Sequence, residues 1–342
     1  MIRLILFILI LCTPALAQER LPALVTPRVQ KAVAKGLDWL AKNQGPDGNF
    51  PGSQDGNMYS VSMTGLAGMA WLANGNTPSR GPYAENIHRA MLYCMSQVTP
   101  SGLISSRVEF DSRSMYGHGF SMLFLASAYG METDPRMRDQ LKKIITNGIT
   151  LTAQAQDGAG GWTYTPGGGN EGSVTVTQIQ ALRAAQNAGF TVPKGTIEAA
   201  IKYLEACRCQ GGGIEYSLGS GTGPRLAISA AATCTLYNAG EYDSKLADEC
   251  LAWVWKQFEA SKNQWAKGGG HEFYTHLYAS QAFYQAGDRY WNDYFPGARD
   301  QLLGMQQADG SWNGDGIGPI YGTSISLIIL HLPYKFLPVY QR

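Results

Sequence analysis

A short pattern that recurs six times, about every fifty residues, constrains the fold of this 342-residue chain more than any other feature of its sequence. Each copy has a Gln near the end of a helix-like stretch, followed by a Gly-rich turn and often by an aromatic residue, as in the segment from Gln156 to Trp162. A period of this length is typical of proteins built from repeated supersecondary units. The six anchoring residues are Gln44, Gln97, Gln156, Gln210, Gln257 and Gln307.

Each repeat contains two segments with the character of helices. The first is amphipathic; in repeat one, Val29, Val33 and Leu37 recur at helical spacing between lysines. The second is rich in small residues, as from Thr64 to Ala70, and suits a position where neighbouring helices approach closely, because Gly costs about 1 kcal/mol relative to Ala in an isolated helix. We therefore expect outer amphipathic and inner small-residue helices. The repeats span about 28–75, 84–130, 137–189, 196–240, 244–287 and 294–334.

The order of these segments favours a closed ring. The series begins with an outer helix and ends with an inner one, so that six complete pairs remain. An open array would need polar capping repeats, but the last segment, Tyr321 to Leu332, is too apolar to face solvent. Repeat one is available to cover it. The sequence predicts an all-α fold, a closed (α/α)6 toroid that forms a single domain over residues 18–342, with the Gly-rich loops gathered at one rim.

The first seventeen residues predict a secretory signal peptide. Arg3 supplies the basic end, the apolar run from Leu4 to Leu11 is too short to span a bilayer, and Ala15 to Ala17 form a small-x-small cleavage site. We therefore expect cleavage after Ala17 and export to the periplasm or the medium. We expect no transmembrane segment in the rest of the chain.

The charge balance argues against a nucleic-acid partner. The formal net charge is +1, and it falls to zero once Arg3 is removed; no basic run is present. Five cysteines would remain in the mature chain, an odd and small number that favours buried thiols over a disulfide scaffold. Their redox state stays open at this point.

The repeats resemble the QW repeats of squalene and oxidosqualene cyclases, and the same toroid forms the β-subunits of protein prenyltransferases. The best copies run from Gln44 to Phe50 and from Gln307 to Trp312, and the resemblance covers the mature chain. It implies an (α/α)6 toroid with a central cavity. It also implies that the repeated Gln and aromatic residues, Trp162 among them, have an architectural role.

The catalytic motifs of those families are missing from this sequence. It contains neither the Asp-x-Asp-Asp acid motif of the cyclases nor an Asp-Asp-x-x-Asp magnesium motif. The segment that resembles the zinc-binding helix of prenyltransferases keeps an acid at Glu272 but has Leu277 where a Cys ligand is needed. We therefore expect no metal and no cofactor.

Aromatic and polar residues near the starts of the inner helices are the candidates for a cavity or rim site. Aromatic walls with carboxylates can stabilise cations or stack sugar rings. The histidines in this set have spacings that favour hydrogen-bonded or lining roles over metal ligation. The candidates are Tyr59, Asp111, His118, Trp162, Tyr164, Tyr216, His271, Glu272, Tyr274, His276, Trp312 and Tyr321.

Three functions are compatible with this pattern. The first is a non-catalytic module that holds an apolar or amphipathic small ligand in its cavity, or a protein partner at its rim. The second is an exported polysaccharide lyase or hydrolase, and the third is a diverged squalene cyclase-like enzyme whose acid comes from elsewhere. Two carboxylates about 5–10 Å apart across an open groove would favour the second function, whereas a narrow apolar cavity would favour the first.

Overall fold

A computed structural model describes residues 21–50, 59–106, 112–261 and 270–341 of the chain. The predicted signal peptide, residues 1–17, lies outside these residues. The described residues form twelve α-helices and two short 3-10 helices and contain no β-sheet. The α-helices are α1 (Pro27–Asn43), α2 (Ser60–Ala73), α3 (Ala84–Ser96), α4 (Ser114–Tyr129), α5 (Pro135–Ala155), α6 (Gly172–Asn187), α7 (Lys194–Ala206), α8 (Leu226–Asn238), α9 (Lys245–Ala260), α10 (Glu272–Ala286), α11 (Asp288–Met305) and α12 (Pro319–His331).

The even-numbered helices form a closed inner ring. Each packs against the next, from α2 through α12, and α12 packs in turn against α2. The odd-numbered helices lie outside, and α1 contacts both α11 and α12, so that the first repeat covers the last. The predicted all-α closed toroid of six outer–inner pairs is therefore confirmed.

Burial explains the difference in composition between the two sets of helices. All fourteen residues of α2 are buried, whereas α1 buries one face, which includes Val29, Leu37 and Leu40. The glycines of α2 allow the close approach of α4, since a Cβ on Gly65 would lie 2.8 Å from the backbone of Phe120. The small residues of the inner helices are therefore a packing requirement of the ring.

In repeats one, three and six a glutamine ties the turn to the next outer helix. The side-chain amide of Gln44 donates to the carbonyls of Gly48 and Asn86, each at 2.9 Å, and Asn86 lies on α3. Gln156 makes the equivalent pair of bonds in repeat three. In repeat six the residue in this role is Gln306, which donates to the carbonyl of Ala32 on α1 at 2.8 Å and so bridges the junction of the ring.

The assignment of Gln307 as the anchor of repeat six is therefore off by one residue. Its side chain is exposed and donates to the carbonyl of Met305. Two consecutive glutamines, Gln306 and Gln307, follow α11, and the period of about fifty residues does not distinguish them. The spacing to the turn glycine does, because Gln44, Gln156 and Gln306 all precede that glycine by four residues.

The predicted anchors Gln97, Gln210 and Gln257 do not have this role. Gln97 donates to the Ser96 hydroxyl. Gln210 lies two residues before the turn glycine Gly212, and Gln257 lies within α9.

The C-terminal segment covers one end of the inner ring. Leu337 and Val339 are buried against the last turns of α4 and α6, near Gly130 and Ala188. Tyr340 is buried as well and belongs to the 3-10 helix Pro338–Tyr340, which packs on α6. This end lies opposite the loops that lead into the inner helices, so a cavity at the loop side has a closed floor.

Candidate functional site

The toroid contains a cavity at the ends of the inner helices where those helices begin. It has two adjoining lobes, one of about 600 Å³ and one of about 240 Å³. Both lobes are lined by Arg113, Tyr116, His271 and Tyr274, which form the boundary between them. Arg113 and His271, which immediately precede α4 and α10, therefore lie between the two lobes.

Six tyrosines line this cavity, one from each repeat. Five of them were among the sequence candidates, and the sixth, Tyr116, lies in the first turn of α4. It could have been found by aligning the repeats, since Tyr274 occupies the matching first turn of α10. The six lining residues are Tyr59, Tyr116, Tyr164, Tyr216, Tyr274 and Tyr321.

A buried carboxylate, Glu171, organises three of these tyrosines. Glu171 caps the start of α6 and accepts hydrogen bonds from the backbone amide of Ser173 at 2.9 Å and from its hydroxyl at 2.6 Å. The Ser173 hydroxyl in turn contacts the Tyr116 hydroxyl, and the Tyr274 hydroxyl donates to the Ser173 carbonyl at 2.7 Å. Burial raises the pKa of Glu171, while its hydrogen bonds, one of them with Tyr216, oppose that rise.

Two arginines stack on two of the lining tyrosines, Tyr164 and Tyr216. The guanidinium carbon of Arg113 lies 4.9 Å from the centre of the Tyr164 ring, and that of Arg225 lies 4.9 Å from the centre of the Tyr216 ring. The Tyr164 and Tyr216 hydroxyls are hydrogen-bonded to each other. Both cations are therefore held beside one tyrosine pair, in cation–π geometry, at the larger lobe.

A carboxyl pair also borders the cavity, with Glu272 at the larger lobe and Asp315 at the smaller one. Asp315 accepts hydrogen bonds from the backbone amides of Phe273 at 2.9 Å and Tyr274 at 3.3 Å, and so caps the start of α10. Its side chain is also hydrogen-bonded to Glu272. Burial, together with the neighbouring Glu272 carboxyl, raises the pKa of Asp315 to about 6, against the helix N–H groups that lower it.

Replacing Asp315 by Asn should change the pH dependence of stability. Because the folded-state pKa of Asp315 is raised from 3.8 to about 6, its contribution to stability is full below about pH 4 and is lost as the pH rises through 6. Wild type should therefore lose stability between pH 4 and pH 8 that Asp315→Asn does not lose. The free energy of unfolding of the variant minus that of wild type should be about 1–2 kcal/mol higher at pH 8 than at pH 4, a value that includes a reduction for solvent screening.

Urea unfolding at both pH values would measure this effect. The control is Asp309→Asn, because the hydrogen bonds of Ser311 lower the pKa of the exposed Asp309. Its contribution to stability is lost only as the pH falls below about 4, so its difference from wild type should hardly change between pH 4 and pH 8. An identical difference between Asp315→Asn and wild type at pH 4 and pH 8 would contradict the raised pKa.

The smaller lobe is apolar over most of its wall. Met63 and Leu66 on α2, Phe120 on α4 and Ile317 in the loop before α12 line it, together with Tyr321. Ile317 is half-buried, and the other four side chains are buried. The cavity thus combines a larger lobe that carries both arginines with a smaller apolar lobe on the far side of the boundary residues.

Four sequence candidates are buried outside the cavity wall. The indole nitrogens of Trp162 and Trp312 donate to the carbonyls of Thr152 and Leu302 at 2.8 and 2.7 Å, each ten residues earlier. His118 and His276 are also fully enclosed. The remaining candidate, Asp111, lies outside the described residues.

The environment of His118 shows why a histidine occurs there. The backbone amide of Trp162 donates to the Thr175 hydroxyl, and in repeat two the backbone amide of Ile104 donates to His118 Nδ1 at 3.2 Å. The other ring nitrogen bonds to the Thr152 hydroxyl at 3.0 Å. His118 therefore takes the place of a structural threonine, and burial lowers its pKa to about 4.

His276 occupies the matching position on α10. Its Nδ1 lies 2.8 Å from the Tyr294 hydroxyl, and its ring packs against Phe258. Leu277, which stands where the prenyltransferases have a Cys ligand, is buried as well. Among the described residues, no group of three His, Cys, Asp or Glu side chains is arranged to hold a metal ion. Within the same residues, no helix is both long and apolar enough to cross a bilayer.

Solved structures of two kinds of enzyme are similar to this one. The type II terpene cyclase MstE from Scytonema, in complex with geranylgeranyl dihydroxybenzoate, has a TM-score of 0.61 at 15% identity, over 91% of this chain and 98% of that chain. The GH76A α-1,6-mannanase from Salegentibacter sp. HEL1_6 has a TM-score of 0.62 at 8% identity, over 90% and 99% of the two chains.

At these identities the likeness shows a shared fold. The expected resemblance to terpenoid cyclase-like α/α toroids is confirmed at that level. No protein-family model matches the sequence, and no curated protein matches it.

Proposed function

We propose that this protein binds an apolar or amphipathic small molecule in the central cavity. The observation that carries the proposal is the wall itself, in which a ring of six tyrosines adjoins an apolar lobe inside a packed ring of helices. A concave, mostly apolar site with a few placed polar groups is the usual form of a small-molecule site. The buried C-terminal segment supports the proposal, because it closes the far end of the ring.

The arrangement of carboxylates favours this function over polysaccharide cleavage. Glycoside hydrolases need two carboxyl groups about 5–10 Å apart, with the sugar between them. In the described part of the cavity wall, Glu272 and Asp315 are hydrogen-bonded to each other and leave no space for a sugar between them. Glu171 is engaged by Ser173 beneath the tyrosines. The bound geranylgeranyl compound in the MstE structure is a ligand of the proposed class.

Acid-catalysed conversion of the bound ligand is a second candidate. The Glu272–Asp315 pair holds a carboxyl group with a raised pKa at the edge of the apolar lobe, which is a suitable place for a proton donor. Incubation with squalene and with geranylgeraniol, followed by gas chromatography and mass spectrometry, tests it. A product that forms with wild type and not with Asp315→Asn would support this second candidate. If wild type forms no such product, the second candidate is rejected and the binding proposal remains.

Export is part of the proposed function. The n-, h- and c-regions of residues 1–17 support a cleaved signal peptide. Mass spectrometry of the protein from a fractionated culture should find Gln18 at the N-terminus, outside the cytoplasm. Recovery of the intact Met1 form from the cytoplasm would contradict export and would leave the cavity proposal unaffected.

Fluorescence titration with N-phenyl-1-naphthylamine, a neutral apolar reporter, tests the binding proposal. We expect saturable binding to wild type and at least about tenfold weaker binding to Ile317→Trp, because the larger ring fills the smaller lobe. Leu218→Trp is the matched control, since Leu218 is 43% exposed in a rim loop and does not line either lobe. Absence of saturable binding to wild type, or an equal loss in both variants, would contradict the proposal.

A further inference from the structure

We propose that the ligand carries an anionic head group, a carboxylate or a phosphate, which binds between Arg113 and Arg225 while its apolar tail lies in the smaller lobe. This inference rests on the proposed function and adds the class of ligand to it. It is carried by the placement of the two arginines, by the absence of a carboxylate partner for either among the described residues, and by the start of α8, which no described side chain caps.

The two arginines converge on the larger lobe from different repeats. Arg113 immediately precedes α4 and Arg225 immediately precedes α8, and both line this lobe. Each guanidinium lies over a tyrosine, and the two tyrosines are joined through their hydroxyls. Stacking fixes the plane of a guanidinium and leaves its edge N–H groups free to bind an oxyanion.

Neither guanidinium is neutralised by the described part of the protein. Arg208 and Arg299 form ion pairs with Glu249 and Asp300, but no described carboxylate lies within 4.0 Å of Arg113 or Arg225. No described group accepts a hydrogen bond from either side chain. Both arginines are exposed to solvent at the mouth of the larger lobe. Two cations beside one lobe, with no described carboxylate paired to either, make a positively charged entrance that suits a ligand with a negative charge.

The start of α8 adds a second feature that attracts anions. Glu171 caps α6, but among the described residues no side chain caps α8. Its first residues, Leu226 and Ala227, line the same lobe as Arg225. The first N–H groups of a helix carry partial positive charge and bind oxyanions when no cap occupies them. An anion between the arginines would therefore also meet the positive end of α8.

The same geometry argues against a cationic ligand. An aromatic-lined cavity can hold a cation over its ring faces, but one face of Tyr164 and one face of Tyr216 are already covered by Arg113 and Arg225. Of the acidic groups of the wall, Glu272 lines the larger lobe and Asp315 the smaller one, and the two share a hydrogen bond. His271 lies at the boundary between the lobes. The charge distribution thus orients an amphipathic anion with its head toward α8 and its tail toward α2 and α12.

Displacement of N-phenyl-1-naphthylamine by three ligands of equal chain length tests the inference. Dodecanol, dodecanoate and dodecyl phosphate are compared below their micelle concentrations at one ionic strength. We expect at least one anion to compete at least tenfold better than dodecanol with wild type. That preference should fall to less than threefold in the double variant Arg113→Gln and Arg225→Gln. Whichever anion displaces the reporter from wild type at the lower concentration identifies the head group as a carboxylate or a phosphate.

The matched control is Arg289→Gln. Arg289 is exposed like Arg113 and Arg225 and also stacks on a tyrosine, with 5.5 Å from its guanidinium carbon to the centre of the Tyr290 ring, but it lines neither lobe. The control should keep the wild-type preference for the anion. Circular dichroism of each variant checks that the fold is retained.

The outcomes separate this inference from the function on which it rests. Equal competition by the alcohol and both anions, or an anion preference that survives in the double variant, overturns the inference and leaves small-molecule binding intact. If the reporter does not bind at all, the proposed function fails. Calorimetric titration with dodecanoate and dodecyl phosphate then tests the anion site independently of the reporter. Binding heat that is present in wild type and lost in the double variant supports the anion site. No binding heat in wild type, or equal heat in both proteins, overturns the inference.

Discussion

Replacement of Gly160 by alanine is expected to lower the free energy of unfolding by about 3–5 kcal/mol. Gly160 has a φ of +99° in the turn that follows α5, and a Cβ at this position would lie 2.2 Å from the carbonyl oxygen of Ala199 on α7. The turn must therefore separate from the next outer helix, and the two bonds of the Gln156 amide, to Gly160 and Thr196, would be strained with it.

Gly240→Ala is the control that isolates the effect of the contact. Gly240 has a similar φ of +93°, but nothing lies within 4 Å of its hypothetical Cβ. Its replacement should cost only the backbone strain of a left-handed alanine, about 1–2 kcal/mol. Chemical denaturation of both variants measures the difference. If the two variants are equally stable, the contact between the turn and α7 does not add to the destabilisation, which would contradict the prediction.

The same approach recurs around the ring, which makes the result general. In five repeats a glycine with positive φ faces a backbone carbonyl of the following outer helix, and in repeat six that carbonyl belongs to Lys35 on α1. The Gly-rich turns therefore set the distance between neighbouring repeats. These glycines are Gly48, Gly102, Gly160, Gly212 and Gly310.

Truncation of Trp312 to alanine should cost a similar amount, about 3–5 kcal/mol, as expected for a large aromatic core residue. Trp312 is fully buried, and its indole donates to the Leu302 carbonyl at 2.7 Å. Its ring also packs on α1 at the junction of the ring, since a Cβ on Gly36 would lie 2.8 Å from it. The cavity left by the substitution would thus lie between the last repeat and the first.

Trp162→Ala provides the comparison for this prediction. Trp162 makes the equivalent indole bond, to Thr152, in the middle of the chain. If the closed ring unfolds as one unit, both substitutions should shift the same denaturation transition by similar amounts. A Trp312→Ala protein that loses only the last repeat in a separate early transition, with the main midpoint unchanged, would contradict closure as a source of stability.

The sequence predicted part of the cavity wall for a physical reason. In four repeats an aromatic residue just before or within the first turn of the inner helix lines the cavity, so Tyr59, Tyr274 and Tyr321 could be found from their position in the repeat. Arg113 and Arg225 were missed, because a basic residue in a polar loop has the same pattern whether it faces solvent or a cavity. The architectural interpretation of Trp162 and Trp312 agrees with their buried indole hydrogen bonds.

The sequence by itself determined the repeated unit of this protein and the closure of the ring. Helical spacing, small-residue inner segments and turn glycines are local features, and the burial of an apolar final helix requires a partner from repeat one. Only the tertiary structure decided which side chains meet. Arg113 and Arg225 flank one tyrosine pair, and Asp315 caps the helix that begins with Glu272. Such contacts join residues from different repeats, and their distances depend on the rotation of each helix pair, which no local pattern encodes.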